Sequence, residues 1–342
     1  MECGRIFKEM KNPKVTVLMS VYNGEKYLQE AIDSILGQTF KDFEFLIVND
    51  GSTDKTVEIL ESYNDPRIKI INNEKNIGLT KSLNKGLRLA SGEYIARQDA
   101  DDISLSTRFE EELKFFEKNS NVALTGTDYF LINEKDEIIH TVNCFTENSK
   151  LKEKLLEGNQ FGHGSIMFKK ECIDKVGAYR EEFEFSQDYD FYLRVAEIYD
   201  IANIPEPLYK WRININSVSV RKKALQDKYA LLAIELAKER RQSGKDKLQS
   251  LKREEINKFI DSYLISKSEY QSKKEIAQNY CFWGRILFNG KDYKGAFKLL
   301  FKSFVSYPLN RETWVLVFKD LAILIFPKPI MNILRYIKRT IF

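Results

Sequence analysis

The 342-residue sequence is poor in the residues that build several common kinds of site. It has two histidines, His140 and His163, which are too few for a metal centre made of histidine ligands. Its four cysteines stand far apart and form no CxxC pair, which argues against both a disulfide framework and a zinc ribbon. A reducing, cytosolic compartment is the corresponding expectation, since the N-terminus also lacks the basic-then-apolar order of a signal peptide.

Long apolar runs are also missing. The longest uncharged run of the C-terminal segment, residues 321–327, is far below the ~20 residues that a transmembrane helix needs. With 43% hydrophobic and 30% charged residues, the composition rules out intrinsic disorder and a polytopic membrane protein. The sequence therefore predicts a globular chain with one large or two modest domains.

Charge is distributed unevenly along the chain. Residues 1–220 carry 28 Lys+Arg against 38 Asp+Glu, a net charge of −10, and residues 221–342 carry 26 against 12, a net charge of +14. An acidic half that handles an anionic substrate usually recruits a cation, whereas a basic half favours phosphate, nucleic acid or an anionic membrane. We therefore expect two different roles within the chain.

Short β-branched runs alternate with amphipathic stretches in the acidic half. This alternation predicts strands at residues 15–21, 43–48, 68–72 and 94–96 with helices between them, and therefore an α/β, Rossmann-like fold with a mainly parallel sheet. Ligands bind at the carboxyl ends of the strands in such sheets. The loops that follow these strands should therefore converge on one crevice.

Helical periodicity dominates after residue 220, and this change sets the predicted domain boundaries. We predict an N-terminal extension (1–13), an α/β domain (14–220) and a helical C-terminal domain (221–342). Within the last, residues 279–308 follow a tetratricopeptide-like helix-turn-helix pattern. Residues 330–342 form a basic amphipathic stretch that either contacts an anionic membrane or packs on neighbouring helices.

The run Asp99-Ala100-Asp101-Asp102 places three carboxylates directly after a predicted buried strand. Like charges this close are tolerated most readily when they share a cation. Oxygen ligands without nearby histidine or cysteine indicate Mg²⁺ or Mn²⁺, which commonly bridges a substrate diphosphate. The alternative is an acidic first turn of a helix, and spacing alone favours neither interpretation.

Polar residues also follow the first two predicted strands. Asp50, next to Gly51, could accept the N–H of a nucleobase, or the segment could form an Asx-turn and helix cap. Tyr22, which follows Ser20 at the end of the first strand, is placed to stack on a base, although an isolated tyrosine there is more often a rim residue.

Two further segments carry candidate site residues. Asp188 and Asp190 point in different directions on a predicted helix, so they cannot both serve one site. His163 lies in a loop of small residues past which an acceptor could slide, or it is a structural histidine at a strand edge.

Taken together, the chain resembles the family 2 glycosyltransferases with the GT-A fold. The resemblance covers roughly residues 14–220. The motifs that occur in the family's order and spacing are Ser20-Val21-Tyr22-Asn23-Gly24, Asn49-Asp50-Gly51-Ser52-Thr53-Asp54, Asn76-Ile77-Gly78-Leu79, Gly92-Glu93-Tyr94-Ile95-Ala96-Arg97, Asp99-Ala100-Asp101-Asp102 and Gln187-Asp188-Tyr189-Asp190.

The resemblance implies a donor site for a nucleotide sugar. The tyrosine matched by Tyr22 stacks on the base beside Ser20, and the aspartate matched by Asp50 binds the base's ring nitrogen. The aspartate matched by Asp99 lies against the ribose, and the one matched by Asp101 coordinates a divalent metal, Mn²⁺ or Mg²⁺, on the diphosphate.

The resemblance also implies an inverting reaction in which Asp188 is the catalytic base. The chain departs from the family at Gln187, where a glutamate is common. It also departs after Arg212, where Asn214 stands in place of a histidine. His163, Gln187 and Arg212 are therefore expected only as acceptor-side or supporting residues, and a surface position is the commoner fate of an arginine such as Arg212.

The expected activity is transfer of a sugar, with a uridine diphosphate sugar as donor, to a hydroxyl of a surface glycan or lipid-linked acceptor. The expected location is cytoplasmic, at the inner face of the cell membrane. One alternative is a sugar nucleotidyltransferase, and another is a non-catalytic scaffold with a degenerate transferase domain. No nucleic-acid partner is expected because no recognition motif is present.

Overall fold

A computed structural model describes residues 12–213, 222–267 and 273–308. The predicted membrane contact through 330–342 lies outside these residues. The described strands are β1 (Val15–Val21), β2 (Phe43–Asn49), β3 (Ile68–Asn72), β4 (Tyr94–Asp99), β5 (Ile103–Ser104), β6 (Val122–Ile132), β7 (Ile138–Val142), β8 (Met167–Lys169) and β9 (Asp200–Arg212).

Helices flank the strands in the first part of the chain and follow one another in the last part. They are α1 (Leu28–Leu36), α2 (Thr56–Glu61), α3 (Leu79–Leu89), α4 (Arg108–Lys118), α5 (Asn148–Lys154), α6 (Glu171–Val176), α7 (Gln187–Ile198), α8 (Lys223–Ser243), α9 (Lys247–Ser250), α10 (Arg253–Ser266), α11 (Lys273–Asn289) and α12 (Tyr293–Ser306). In the described part of the chain, no helix is long and apolar enough to cross a membrane.

The strands form one mixed sheet in the order β3-β2-β1-β4-β8-β6-β9-β5, with β7 beside β6. Strands β1 to β4 run parallel to one another, whereas β8 is antiparallel to both β4 and β6. The predicted α/β fold of the GT-A type, followed by a helical region, is confirmed. The parallel half keeps the carboxyl ends of β1, β2 and β4 at one edge.

Burial on both faces explains why the first strands form. All seven residues of β2 are buried, which is typical of a parallel strand covered by helices on both sides. Helix α1 buries Leu28, Ala31, Ile32 and Ile35, the spacing of a single apolar stripe.

The described residues fall into two compact units. One consists of residues 12–130, 141–211 and 229–258, and the other of residues 131–140, 212–213, 222–228, 259–267 and 273–308. The first unit therefore includes helical residues beyond 220, and the predicted domain boundary at that position remains a prediction.

A buried ion-pair network holds the helical residues of the first unit to α7. The carboxylate of Asp246 accepts hydrogen bonds from Arg180 at 2.6 Å and from Arg240 at 2.5 Å. Arg240 also pairs with Glu197 of α7 at 2.8 Å. Asp246 begins α9 as well, because its side chain accepts the backbone N–H of Gln249.

Candidate active site

The carboxyl ends of the parallel strands bring several predicted site residues together. Strand pairing places Ser20 of β1 directly beside Asp99 of β4 and beside Val48 of β2. Tyr22 follows β1 and leaves half of its surface exposed (50%). An exposed ring at this edge is available for stacking on a planar ligand.

The loops after β1 and β2 are fastened to each other. Asn23 donates its backbone N–H to Ser52 Oγ (3.0 Å), and its side-chain Oδ1 accepts the backbone N–H of Thr53 (2.8 Å). Asn23 adopts a left-handed backbone conformation (φ 51°), which asparagine tolerates better than most residues. The backbone N–H of Gly24 donates to Thr56 Oγ1 at 2.9 Å. These contacts fix the backbone on either side of the crevice next to Tyr22.

Asp50 is almost completely buried and organises the loop after β3. Its carboxylate accepts hydrogen bonds from Asn73 Nδ2 and from the backbone N–H groups of Ile77 and Gly78, each at 2.9 Å. A carboxylate offers about four acceptor positions, so these three bonds leave capacity for one further donor. The Asn76-Ile77-Gly78 motif of the sequence thus meets Asp50 in space.

A buried arginine lies beneath Asp99. Arg97 has no exposed surface, and its guanidinium donates to Asp99 Oδ1 (2.5 Å) and to the backbone oxygens of Leu18 (2.8 Å) and Gln98 (2.7 Å). Desolvation, the largest single effect, favours the protonated form of Asp99. The charge and hydrogen bond of Arg97, together with the nearby His163 and Arg108, outweigh it and hold the pKa of Asp99 below its usual value. Asp99 is therefore a preorganised anion at the edge of the sheet.

Arg97 also influences the tautomer and the protonation of His163. Arg97 Nε donates to His163 Nε2 at 3.1 Å, so this ring nitrogen is an acceptor and Nδ1 carries the hydrogen. Desolvation and the charge of Arg97 lower the pKa of His163 to about 4, against the opposing charges of Asp188 and Asp99. His163 is consequently neutral at neutral pH, with the hydroxyl of Tyr179 3.4 Å from Nε2.

Gly164 is required by close approach to its neighbours. A Cβ atom at this position would lie 1.9 Å from Tyr209 Oη and 3.0 Å from Asp99 Oδ2. The Tyr209 hydroxyl accepts the backbone N–H of Asp99 at 3.2 Å. The His163 loop therefore lies directly against Asp99.

The structure separates the roles of Asp188 and Asp190. Asp190 has no exposed surface and pairs with Arg180 at 3.3 Å and with Arg194 at 2.9 Å, so it neutralises buried charge. Asp188 lies in the first turn of α7, is partly exposed, and accepts a hydrogen bond from Asn159 at 3.1 Å. Asp188 is thus the member of the pair that a ligand can reach.

The predicted cation ligand is Asp101. Across the described ranges, no group of three or more histidine, cysteine, aspartate or glutamate side chains could hold a metal ion. Asp101 is partly buried and lies two residues after Asp99, whose carboxylate is paired with Arg97. Mg²⁺ is usually bound by one or two carboxylates together with substrate phosphates. Asp101 fits that kind of site.

The two remaining predicted residues are buried. Gln187 is 4% exposed at the start of α7. Arg212 is 1% exposed, so it is not the surface arginine considered above. It donates to the backbone oxygen of Asn133 at 3.2 Å and pairs with the carboxylate of Asp136. These partners give Arg212 a structural contact, and its role as an acceptor-side or supporting residue remains a prediction.

Sequence reasoning gave no role to four residues that shape this crevice. One signal was available for Arg97, because an arginine directly after the buried apolar residues of a strand needs an anionic partner nearby. Nothing in the local pattern marks the others, since they reach the crevice from distant parts of the chain. The residues are Arg97, Asn159, Tyr179 and Tyr209.

The sequence is similar to those of known sugar-transferring proteins. Residues 16–176 match the family described as "Glycosyl transferase family 2". An uncharacterized glycosyltransferase of Methanocaldococcus jannaschii is 35% identical over 281 residues, which cover 80% of this chain and 86% of that protein. The O-antigen biosynthesis glycosyltransferase WbnJ of Escherichia coli is 36% identical over 218 residues, 62% of this chain and 83% of WbnJ.

Solved structures share the fold at low sequence identity. S. aureus TarS 1-349 in complex with UDP has a TM-score of 0.55 and 17% identity, over 88% of this chain and 91% of that one. The mannosyltransferase PcManGT from Pyrobaculum calidifontis, in complex with GDP-Man and Mn²⁺, has a TM-score of 0.51 and 16% identity, over 88% and 89%.

Proposed function

The chain belongs to glycosyl transferase family 2, and from this we propose that it is an inverting transferase using a nucleoside diphosphate sugar. The donor is a uridine diphosphate sugar. The acceptor is a hydroxyl group of a surface glycan or of a lipid-linked acceptor.

One observation carries the proposal: the loop of His163 and Gly164 packs against the donor-edge carboxylate of Asp99, whose Oδ2 would lie 3.0 Å from a Cβ atom at Gly164. The negative charges of Asp99 and Asp188 both raise the pKa of His163, against desolvation and Arg97. Asp99 is the last residue of β4 at the predicted donor edge, and Asp188 lies in the first turn of α7, far along the chain. A donor-side anion and a candidate base are thus both close enough to His163 to influence it.

The donor is proposed to lie along the edge formed by β1, β2 and β4. Tyr22 would stack on the base, Asp50 would accept its ring N–H, and Asp99 would hydrogen-bond the ribose. Ser20, beside Asp99 in the sheet, would contact the same nucleotide. The UDP bound by TarS supports uridine, and the O-antigen role of WbnJ supports a surface polysaccharide as product.

A divalent cation, Mn²⁺ or Mg²⁺, is proposed to be held by Asp101 together with the donor's diphosphate oxygens. When bound, it would neutralise the charge that develops on the leaving diphosphate. The Mn²⁺ in the PcManGT complex supports a metal of this kind.

On the acceptor side, Asp188 is proposed to act as general base. The acceptor oxygen would form a bond to the anomeric carbon as the bond from that carbon to the diphosphate breaks, and the hydroxyl proton would pass to Asp188. Attack opposite the leaving group inverts the anomeric carbon. Asn159, which donates to one carboxylate oxygen, would hold Asp188 in position.

The alternatives are less well supported. Family membership favours sugar transfer over nucleotidyl transfer. A degenerate scaffold has no need to retain Asp99, Asp101 and Asp188 together. We further propose that the protein acts in the cytoplasm at the inner face of the membrane.

The test is a donor screen. Purified protein with Mn²⁺ or Mg²⁺ and a panel of nucleotide sugars should release nucleoside diphosphate slowly in the absence of acceptor, and fastest from one uridine diphosphate sugar. Replacement of Asp188 by Asn should leave donor binding intact and lower the rate of donor hydrolysis, in which water takes the place of the acceptor, by ~10²- to 10⁴-fold, the usual contribution of a general base. The exposed Glu184, replaced by Gln, is the matched control. Wild-type turnover in Asp188→Asn would assign the base elsewhere.

A further inference from the structure

The outer face of α12 is apolar and exposed. Phe297, Phe301 and Val305 recur every fourth residue and are 65%, 57% and 63% exposed. The two phenylalanine rings lie parallel, 6.4 Å apart with an interplanar angle of 17°. These three residues, together with Lys294 and Lys298, are called the α12 face below.

The residues of the α12 face are different from those that α12 buries. The residues that α12 buries are Ala296, Leu299, Leu300 and Ser303, and the Ser303 hydroxyl donates to the backbone oxygen of Ala277 in α11 at 2.6 Å. The exposed aromatic residues are thus not needed to join the two helices. Exposed apolar residues grouped on one face usually mark a contact surface.

The charged side chains on the same side of α12 are positive. Lys294 and Lys298 are exposed, and helical spacing places them among the apolar residues of the α12 face. The sequence of α12 contains no aspartate or glutamate. The acid just before the helix, Asp292, caps it by accepting the backbone N–H of Gly295 at 3.0 Å.

We propose that the α12 face docks on an anionic phospholipid surface. Aromatic side chains between lysines suit the interface, because the rings enter the boundary of the acyl chains while the ammonium groups meet anionic headgroups. A second copy of the chain is a poorer partner, since two such faces would oppose lysines to lysines. The proposal goes beyond sugar transfer and does not depend on it.

The test is vesicle flotation of the full chain without donor or acceptor. Wild-type protein should float with phosphatidylcholine vesicles that contain phosphatidylserine, and more weakly with phosphatidylcholine alone or at high salt. Replacing both Phe297 and Phe301 by Ser should weaken binding roughly tenfold or more, because each exposed ring loses its apolar contact. Replacing Lys294 and Lys298 by Gln should weaken it by about fivefold per lysine on anionic vesicles only.

The matched control replaces two exposed apolar residues of other helices, Leu89 and Ile198, by Ser; they are 54% and 57% exposed. Circular dichroism should show that all variants are folded. Wild-type protein that does not float, or a Phe297→Ser/Phe301→Ser variant that floats like wild type, overturns the proposal. Loss of a dimer in that variant without loss of flotation would assign the face to a second copy. A donor-hydrolysis assay in solution tests the proposed function separately.

Discussion

Replacing Gly164 by Ala should disturb both stability and donor binding. The new methyl group would lie 1.9 Å from Tyr209 Oη, far inside contact distance. Tyr209 cannot easily move aside, because Arg108 lies over its ring at 5.2 Å and its backbone pairs with Ser104 of β5. Relief of the clash must therefore displace either the His163 loop or Asp99.

The magnitude follows from two effects. Overpacking in a close-packed site costs about 1 to 3 kcal/mol. Loss of the hydrogen bond from the Asp99 backbone N–H to Tyr209 costs about 0.5 to 1.5 kcal/mol more. We therefore expect Gly164→Ala to lower the free energy of unfolding by about 1.5 to 4.5 kcal/mol and to weaken nucleotide-sugar binding, since Asp99 shifts with the loop.

Urea unfolding and calorimetry of donor binding check this expectation. Gly158→Ala is the control, because no atom lies within 4 Å of the added methyl group and the change should be neutral or stabilising by up to about 1 kcal/mol. In a Tyr209→Leu background, whose side chain ends short of the clashing atoms, the cost of Gly164→Ala should fall. Equal stability and donor binding of Gly164→Ala and Gly158→Ala would refute the reasoning.

Three further predictions concern single carboxylates. Asp101→Ala should abolish the Mn²⁺ dependence of donor binding in calorimetry. Replacement of the exposed Asp174 by Ala is the control and should retain that dependence. Unchanged donor affinity in Asp101→Ala would mean that the acidic run 99–102 is only an acidic helix terminus. Desolvation raises the pKa of the buried Glu112 carboxyl to about 7, although the positive charge of Arg108 acts to lower it. Because the unfolded state loses this proton at lower pH, the free energy of unfolding of wild type should fall by up to about 3 kcal/mol relative to that of Glu112→Gln as pH rises from about 4.5 to 7. A flat difference in urea unfolding over that range would contradict this. Asp246→Ala should cost about 3 kcal/mol by the same measurement, because two arginines lose a buried partner, and a cost near zero would show that the remaining acids suffice.

The parallel half of the sheet was predictable from the sequence, but strands β5 and β9 of the other half were not. Strand β1 is a short, mostly apolar run rich in β-branched residues, which is typical of a buried strand. Strand β9 was missed because it contains Pro205 and Pro207 with Glu206 between them, a pattern that argues against a strand until its partners are known. The two residues of β5 form a strand only through pairing with β9.

The residues of the candidate site were also predictable only in part. The order of the motifs identified Asp99, Asp101 and Asp188 as candidates, since each lies at the end of a strand, just after one or in the first turn of a helix. The order of the motifs could not show which of Asp188 and Asp190 a ligand can reach. Burial shows it, because Asp190 is enclosed by two arginines, whereas Asp188 is accessible. Local patterns cannot reveal such partners, because Arg180 and Arg194 come together only after the chain has folded.

The three-piece composition of the first compact unit has a consequence for biosynthesis. Its last piece, residues 229–258, supplies Arg240 and Asp246, which neutralise charges contributed by earlier residues. A nascent chain that has emerged only as far as residue 220 would therefore hold Arg180 and Glu197 without those partners. We expect the unit to complete its folding late in translation, and the ribosome-bound chain to remain sensitive to protease until residue 258 has cleared the exit tunnel.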